Sequence, residues 1–158
     1  MENVLVKTTS SVGESNLHLQ ITPAYRQDVF ENRTIWELTL VYIEEKLKKM
    51  SIILLVADGG PDHAHLFLAN WKKYAIEKIV QEVKGFSSYM MRKFHKELIK
   101  DKLWGNKFWS EGYFYRTVGQ VTKEACKFYI ENSQSKHWIA LDYAYYKDNK
   151  QMSLTNYM

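Results

Sequence analysis

The apolar run Ile52-Ile53-Leu54-Leu55-Val56-Ala57 breaks off at Asp58-Gly59-Gly60-Pro61, and His63-Ala64-His65-Leu66-Phe67-Leu68-Ala69 follows almost at once. The first run has strand length, and an apolar run of that length suits a central strand covered on both faces. Asp-Gly-Gly-Pro is turn chemistry. The chain is therefore expected to fold back into the second run, the two forming a hairpin-like pair. No other feature of the sequence restricts the fold as strongly.

The remaining elements are built around that pair. Leu17-His18-Leu19-Gln20-Ile21 alternates like a half-buried strand, and Pro23 ends it. Thr34-Ile35-Trp36-Glu37 has capping-box spacing. It opens a helix to about Met50, with Ile35, Leu38, Tyr42 and Leu47 as its apolar stripe. A second helix is expected from about Tyr74 to Lys84, with Ile76, Ile79, Val80 and Val83 inward. Gly85 should interrupt it, and Ser87 to Leu98 should continue as further helix. Tyr113 to Val118 is a strand by composition, and Thr122 can cap a last helix to about Asn132. This succession predicts an α+β fold in a single domain, a mostly antiparallel central sheet with helices packed over it. Residues 1–14 read as a loose N-terminal segment, 15–134 as the domain, and 135–158 as a tyrosine-rich tail of no assigned structure.

Composition narrows the class. The 158 residues are 46% hydrophobic, enough for a packed core. A net charge of +4 and a pI near 9.0 lean toward an anionic partner, the more so because basic residues cluster between Lys84 and Arg116. The single cysteine, Cys126, excludes an intramolecular disulfide. With no signal peptide and no apolar run of membrane-spanning length, a soluble cytoplasmic protein is expected.

His63 and His65 stand two residues apart on a predicted strand, so both rings point to one face. Imidazole is the commonest protein metal ligand. Two nitrogens leave coordination positions open, as a catalytic metal requires. The alternative is an ordinary core histidine bonded to a backbone carbonyl. Asp62 either orients one of the rings through its second nitrogen or is a plain turn residue. His18, His95 and His137 are isolated and read as structural or surface residues. A nucleotide hydrolase using three alternating histidines ranks last, because Phe67 stands where its nucleophile would be. No P-loop spacing is present. Arg26, Lys84, Arg92, Lys93 and Arg116 are candidate phosphate contacts, or else solvated surface charges. Trp104, Phe108 and Trp109 suit stacking on unpaired bases, with core packing the alternative.

Several blocks, in order, resemble the single-tyrosine HUH transposases of the insertion-sequence 200/605 family, HUH standing for His, a hydrophobic residue, His. They are Tyr25-Arg26, Pro61 to Phe67, Lys84-Gly85-Phe86-Ser87-Ser88, Leu103-Trp104-Gly105, Phe108-Trp109-Ser110, Gly112-Tyr113-Phe114, Thr117-Val118-Gly119 with Val121, and Tyr129-Ile130-Glu131-Asn132. The resemblance runs from about Ser15 to Gln134. It implies a ferredoxin-like fold of HUH endonuclease type and a DNA transposase acting on single-stranded DNA with hairpin ends. It also implies a divalent metal, Mg²⁺ or Mn²⁺, on His63 and His65. Tyr129 would be the nucleophile that forms a 5′-phosphotyrosine link and frees a 3′-hydroxyl, and the enzyme would be a homodimer with shared sites.

One position departs from the family pattern. The family places glutamine four residues after the tyrosine as third metal ligand, on the same helix face. Here Ser133 occupies that place and Gln134 follows, about 140° from the tyrosine's direction on a regular helix. The third ligand is thus open among Gln134, Ser133, Asn132, Glu131 and water. The departure also fits a second reading, a non-cleaving or domesticated relative that binds hairpin or palindromic DNA.

Overall fold

The computed structural model describes residues 6–7, 12–13, 15–103 and 105–118. Tyr129, Gln134 and the tail lie outside the described residues. Two short strands, β1 (Val6–Lys7) and β2 (Val12–Gly13), pair antiparallel, so the N-terminal segment expected to be loose contains a ribbon.

The domain proper opens with β3 (Asn16–Ile21), which is buried along its whole length. It is central, with strands on both sides, so the expectation of a half-buried strand is corrected. Its alternation still sorts the side chains: Leu17, Leu19 and Ile21 enter the main core, while His18 and Gln20 point to the other face.

The helix α1 (Arg33–Lys49) begins where Asn32 accepts hydrogen bonds from the Thr34 and Ile35 amides at 3.0 and 3.3 Å. The cap is therefore Asn32, two residues before the expected Thr34, which lies in the first turn. Ile35, Thr39, Ile43 and Leu47 recur every four residues along the buried side. Lys46, Lys48 and Lys49 crowd the last turn, where the helix dipole favours cations.

The hairpin is as expected: β4 (Ile53–Gly60) returns through Pro61-Asp62 into β5 (His63–Ala69). Its place in the sheet is not. The order is β4-β5-β3-β6, all antiparallel, so β4 is an edge strand, and its residues are half-buried or exposed. An apolar run reports strand length and burial tendency; the neighbours are decided by β3, which pairs with β5 and β6 (Phe114–Val118) instead.

The helix α2 (Ile76–Phe94) runs without a break through Gly85. The expected interruption fails because Gly85 lies on the exposed side, where an added Cβ would meet nothing within 4 Å. The roughly 1 kcal/mol that glycine costs a helix is small beside the burial of Ile79, Val80, Val83 and Met91. The break comes at His95, before the single turn α3 (Lys96–Ile99).

From β3 to β6 the order is β-α-β-β-α-β, the ferredoxin-like succession. One face of the sheet, with α1 and α2, forms the core around Leu19, Ile21, Leu66, Leu68, Ile43 and Ile79. No helix among the described residues is long and apolar enough to cross a membrane.

Candidate active site

The second face of the sheet carries the histidines. Register puts His65 opposite Gln20 and Asp58, and His63 opposite Gly60. The His63 and His65 rings lie 4.9 Å apart between centroids and nearly perpendicular, and both residues are buried. The i,i+2 spacing thus brings them together as expected.

Each ring is held by a second residue. The hairpin turn presents Asp62, whose Oδ1 lies 2.9 Å from His63 Nδ1. A carboxylate only accepts, so Nδ1 carries the proton and Nε2 carries the ring's lone pair. Asp62 is fully buried, and its other oxygen pairs with Arg26 Nε at 3.4 Å. Of the two alternatives for Asp62, the geometry is that of an orienting carboxylate. The turn is fixed in its own right, since the Phe30 amide donates to the Pro61 carbonyl at 2.8 Å.

His65 Nδ1 is 3.0 Å from His18 Nε2. His18 is clamped in place, stacked on Phe67 at 4.6 Å and 9° and edge-on to Phe114 at 6.1 Å. Burial, and then the nearby Arg116, push its pKa down to about 4, so it is neutral near pH 7. A neutral His18 can accept at Nε2 the proton of His65 Nδ1, which leaves the lone pair of His65 on Nε2. Sequence spacing alone leaves His18 isolated. Its signal was the register of the Leu17-to-Ile21 alternation, which only pairing with β5 makes meaningful.

The candidate phosphate contacts separate. Arg26 is buried against Asp62, at a turn where Tyr25 and Arg26 both take left-handed backbone angles, φ 58° and 50°. Each such residue costs about 1–2 kcal/mol. The conformation turns Arg26 inward and leaves Tyr25 61% exposed. Lys84 donates to the carbonyls of Ser110, Glu111 and Gly112 at 2.8, 3.3 and 2.8 Å, and burial draws its pKa down to about 8. Ser87 receives the Trp109 indole N–H at 2.9 Å. The Lys84-to-Ser88 block therefore docks the loop that leads into β6. Arg92 stands beside Lys96 and Lys100 near the end of α2 and α3, and Arg116 is exposed on β6 opposite His18. Phe108 and Trp109 are buried in the core, which settles packing over stacking for both; Trp104 lies outside the described residues.

Comparison with known proteins identifies the family. The family model described as "Transposase IS200 like" matches residues 11–133. The ISDra2 transposase TnpA of Deinococcus radiodurans is 37% identical over 76 residues, 48% of this chain and 54% of the relative, so the chain spans about half of that protein's length. The transposase for insertion sequence element IS200 of Salmonella typhimurium is 26% identical over 132 residues, covering 80% of this chain and 84% of the relative. A crystal structure of a transposase from Deinococcus radiodurans superposes with a TM-score of 0.63 at 25% identity, over 80% of this chain and 96% of that one. The chain belongs to the IS200-like transposase family.

Proposed function

We propose that the protein is a DNA strand transferase that cleaves and rejoins single-stranded DNA through Tyr129. The observation that carries this reading is the buried His63–His65 pair, each ring held by a second residue, in a chain of this family. The donor set fits a divalent metal. Both imidazoles have Nδ1 engaged, by Asp62 and by His18, the arrangement in which a ligating histidine uses Nε2, and two protein nitrogens leave room for substrate oxygens. Among the described residues no third His, Cys, Asp or Glu joins them, and the third ligand is open among Gln134, Ser133, Asn132, Glu131 and water. When bound, Mg²⁺ or Mn²⁺ supplies Lewis-acid polarisation of the scissile phosphate.

Tyr129 would attack phosphorus with its phenolic oxygen and form the phosphotyrosine ester. The DNA 3′-oxygen leaves and takes up a proton as a free hydroxyl. Attack of such a hydroxyl on the ester reverses the step and restores the tyrosine, so no nucleotide cofactor is needed. Asp62 and Arg26 keep His63 oriented throughout. Tyr113 is a poor alternative nucleophile: burial, helped by Glu77 and Tyr115, raises its pKa, and a phenol with a reference pKa near 10 already needs activation. Hairpin-ended single strands as substrate, a homodimer sharing its sites and a cytoplasmic setting belong to the same reading.

The test is a denaturing gel of the protein with 5′- and 3′-fluorescein oligonucleotides from the flanks of its own gene. A protein-sized band carrying only the 3′ label is expected. It should be lost with chelator and in Tyr129→Phe. Tight hairpin binding with no adduct selects the non-cleaving relative instead, with Ser133 as the altered position. Efficient cutting of plain duplex contradicts the reading.

A further inference from the structure

On the β6 side of the histidines, Gln20 is 1% exposed, and neither its Oε1 nor its Nε2 has a hydrogen-bond partner among the described residues. A buried primary amide left unsatisfied at both atoms is unfavourable, so a retained one points to a ligand that completes it. Gln20 lines an open cavity of about 250 Å³. The walls are aromatic and mostly apolar: Tyr25, Tyr113 and Phe114, with Arg26 beside them. Tyr25 stands there because of its left-handed backbone, which leaves its ring 61% exposed at the rim.

A cavity with aromatic walls and an unpartnered carboxamide, its Thr22 and Ser110 hydroxyls bonded to each other, has the chemistry of a nucleobase site. Aromatic faces stack on any base, and a carboxamide offers one donor and one acceptor side by side. That pair matches the N6 donor and N7 acceptor of adenine, whereas the same edge of guanine presents two acceptors. The cavity has room for one unstacked base and none for a duplex. It also adjoins the candidate metal ligands. Gln20 faces His65 across the β3–β5 ladder, and Arg26, on the cavity wall, pairs with the Asp62 that holds His63.

Resting on the strand-transferase reading, we infer that the Gln20 cavity captures one unpaired adenine of the single strand, next to the phosphate presented to His63 and His65. Base choice at that nucleotide is then made by the protein.

Binding tests this without requiring cleavage. Fluorescence anisotropy would be measured on 12-nucleotide oligothymidylates carrying one central dA, 7-deaza-dA, dG or dT. The dA strand is expected to bind about tenfold more tightly than the other three, the discrimination of a bidentate base contact. Gln20→Leu, which removes the unsatisfied amide at similar volume, should keep or raise Tm and bind all four strands alike. Tyr25→Leu, on the exposed wall, should weaken all four several-fold and keep the order. Equal binding of the four strands by the unmodified protein overturns the inference, as does a preference for dA that survives in Gln20→Leu. If no single strand binds at all, the strand-transferase reading fails and takes the inference with it.

Discussion

At the scale of single residues, the proposed function rests on what holds the histidines. The His63-Ala64-His65 spacing was enough to place both rings on one face. Asp62 was legible as one of two alternatives, and a 2.9 Å contact decided it. His18, Gln20 and the inward turn of Arg26 were not legible. Each acquires its role from a partner on another strand or turn, 47 residues away in the case of His18 and His65. Asp62→Asn keeps the shape but removes the charge that fixes His63 and balances Arg26. Mn²⁺ affinity, followed by titration calorimetry, should fall about 10–100-fold, the usual cost of losing such a support. His18→Phe preserves the stack on Phe67 but not the acceptor for His65. It should weaken Mn²⁺ binding while Tm stays close to that of the unmodified protein.

At the scale of elements, the hairpin was read from sequence with its turn, and its position in the sheet was not. Periodicity tells a strand from a helix but does not rank strands by position, so β4 was expected at the centre and stands at the edge. Gly85 shows the opposite limit: a residue that weakens a helix locally is overridden when the flanking turns bury four large apolar side chains. Gly59 matters more than Gly85. A Cβ at Gly59 would collide with the His63 carbonyl and press on the Trp36 ring. Gly59→Ala should therefore destabilise by about 1–3 kcal/mol, as overpacking does. It should also disturb Mn²⁺ binding, because the displaced strand carries His63; urea midpoints and the same titration check both.

The contact between α1 and α2 adds a pH dependence. Glu82 accepts from Lys46 and Lys78 at 2.7 Å each, and these bonds pull its pKa down to about 2 from an ordinary 4.5. A depressed carboxylate pKa stabilises the fold above 4.5 and loses that contribution as pH falls toward 2, because the unfolded chain binds the proton first. The stabilities of the unmodified protein and Glu82→Gln should therefore converge over that interval, seen as Tm against pH. The Lys46–Glu82 pair is partly exposed, and the gap at neutral pH should be small, shrinking further with added salt.

At the scale of the whole molecule, the order of predicted elements gave the right architecture although several boundaries moved. Hydrophobic patterning alone restricted the chain to an antiparallel sheet under helices; the resemblance of ordered blocks supplied the ferredoxin-like topology and the transposase family, and the described strands and the family model agree with both. The Lys84-to-Ser88 block and the Trp109-to-Gly112 loop, separate in sequence, prove to be one unit joined by four hydrogen bonds. Sequence spacing could not disclose that, because the donors are side chains and three of the acceptors are backbone carbonyls.

In the proposed reaction Tyr129 becomes joined to DNA at the His63–His65 pair. The direct measurement is mass spectrometry of the protease-digested, chelator-sensitive protein–DNA adduct. A 5′-phosphorylated nucleotide remnant is expected on the peptide containing Tyr129, and none in His63→Ala. A remnant on Tyr113, Tyr115 or any other residue, or an adduct that forms unchanged in His63→Ala, would contradict the proposed reaction.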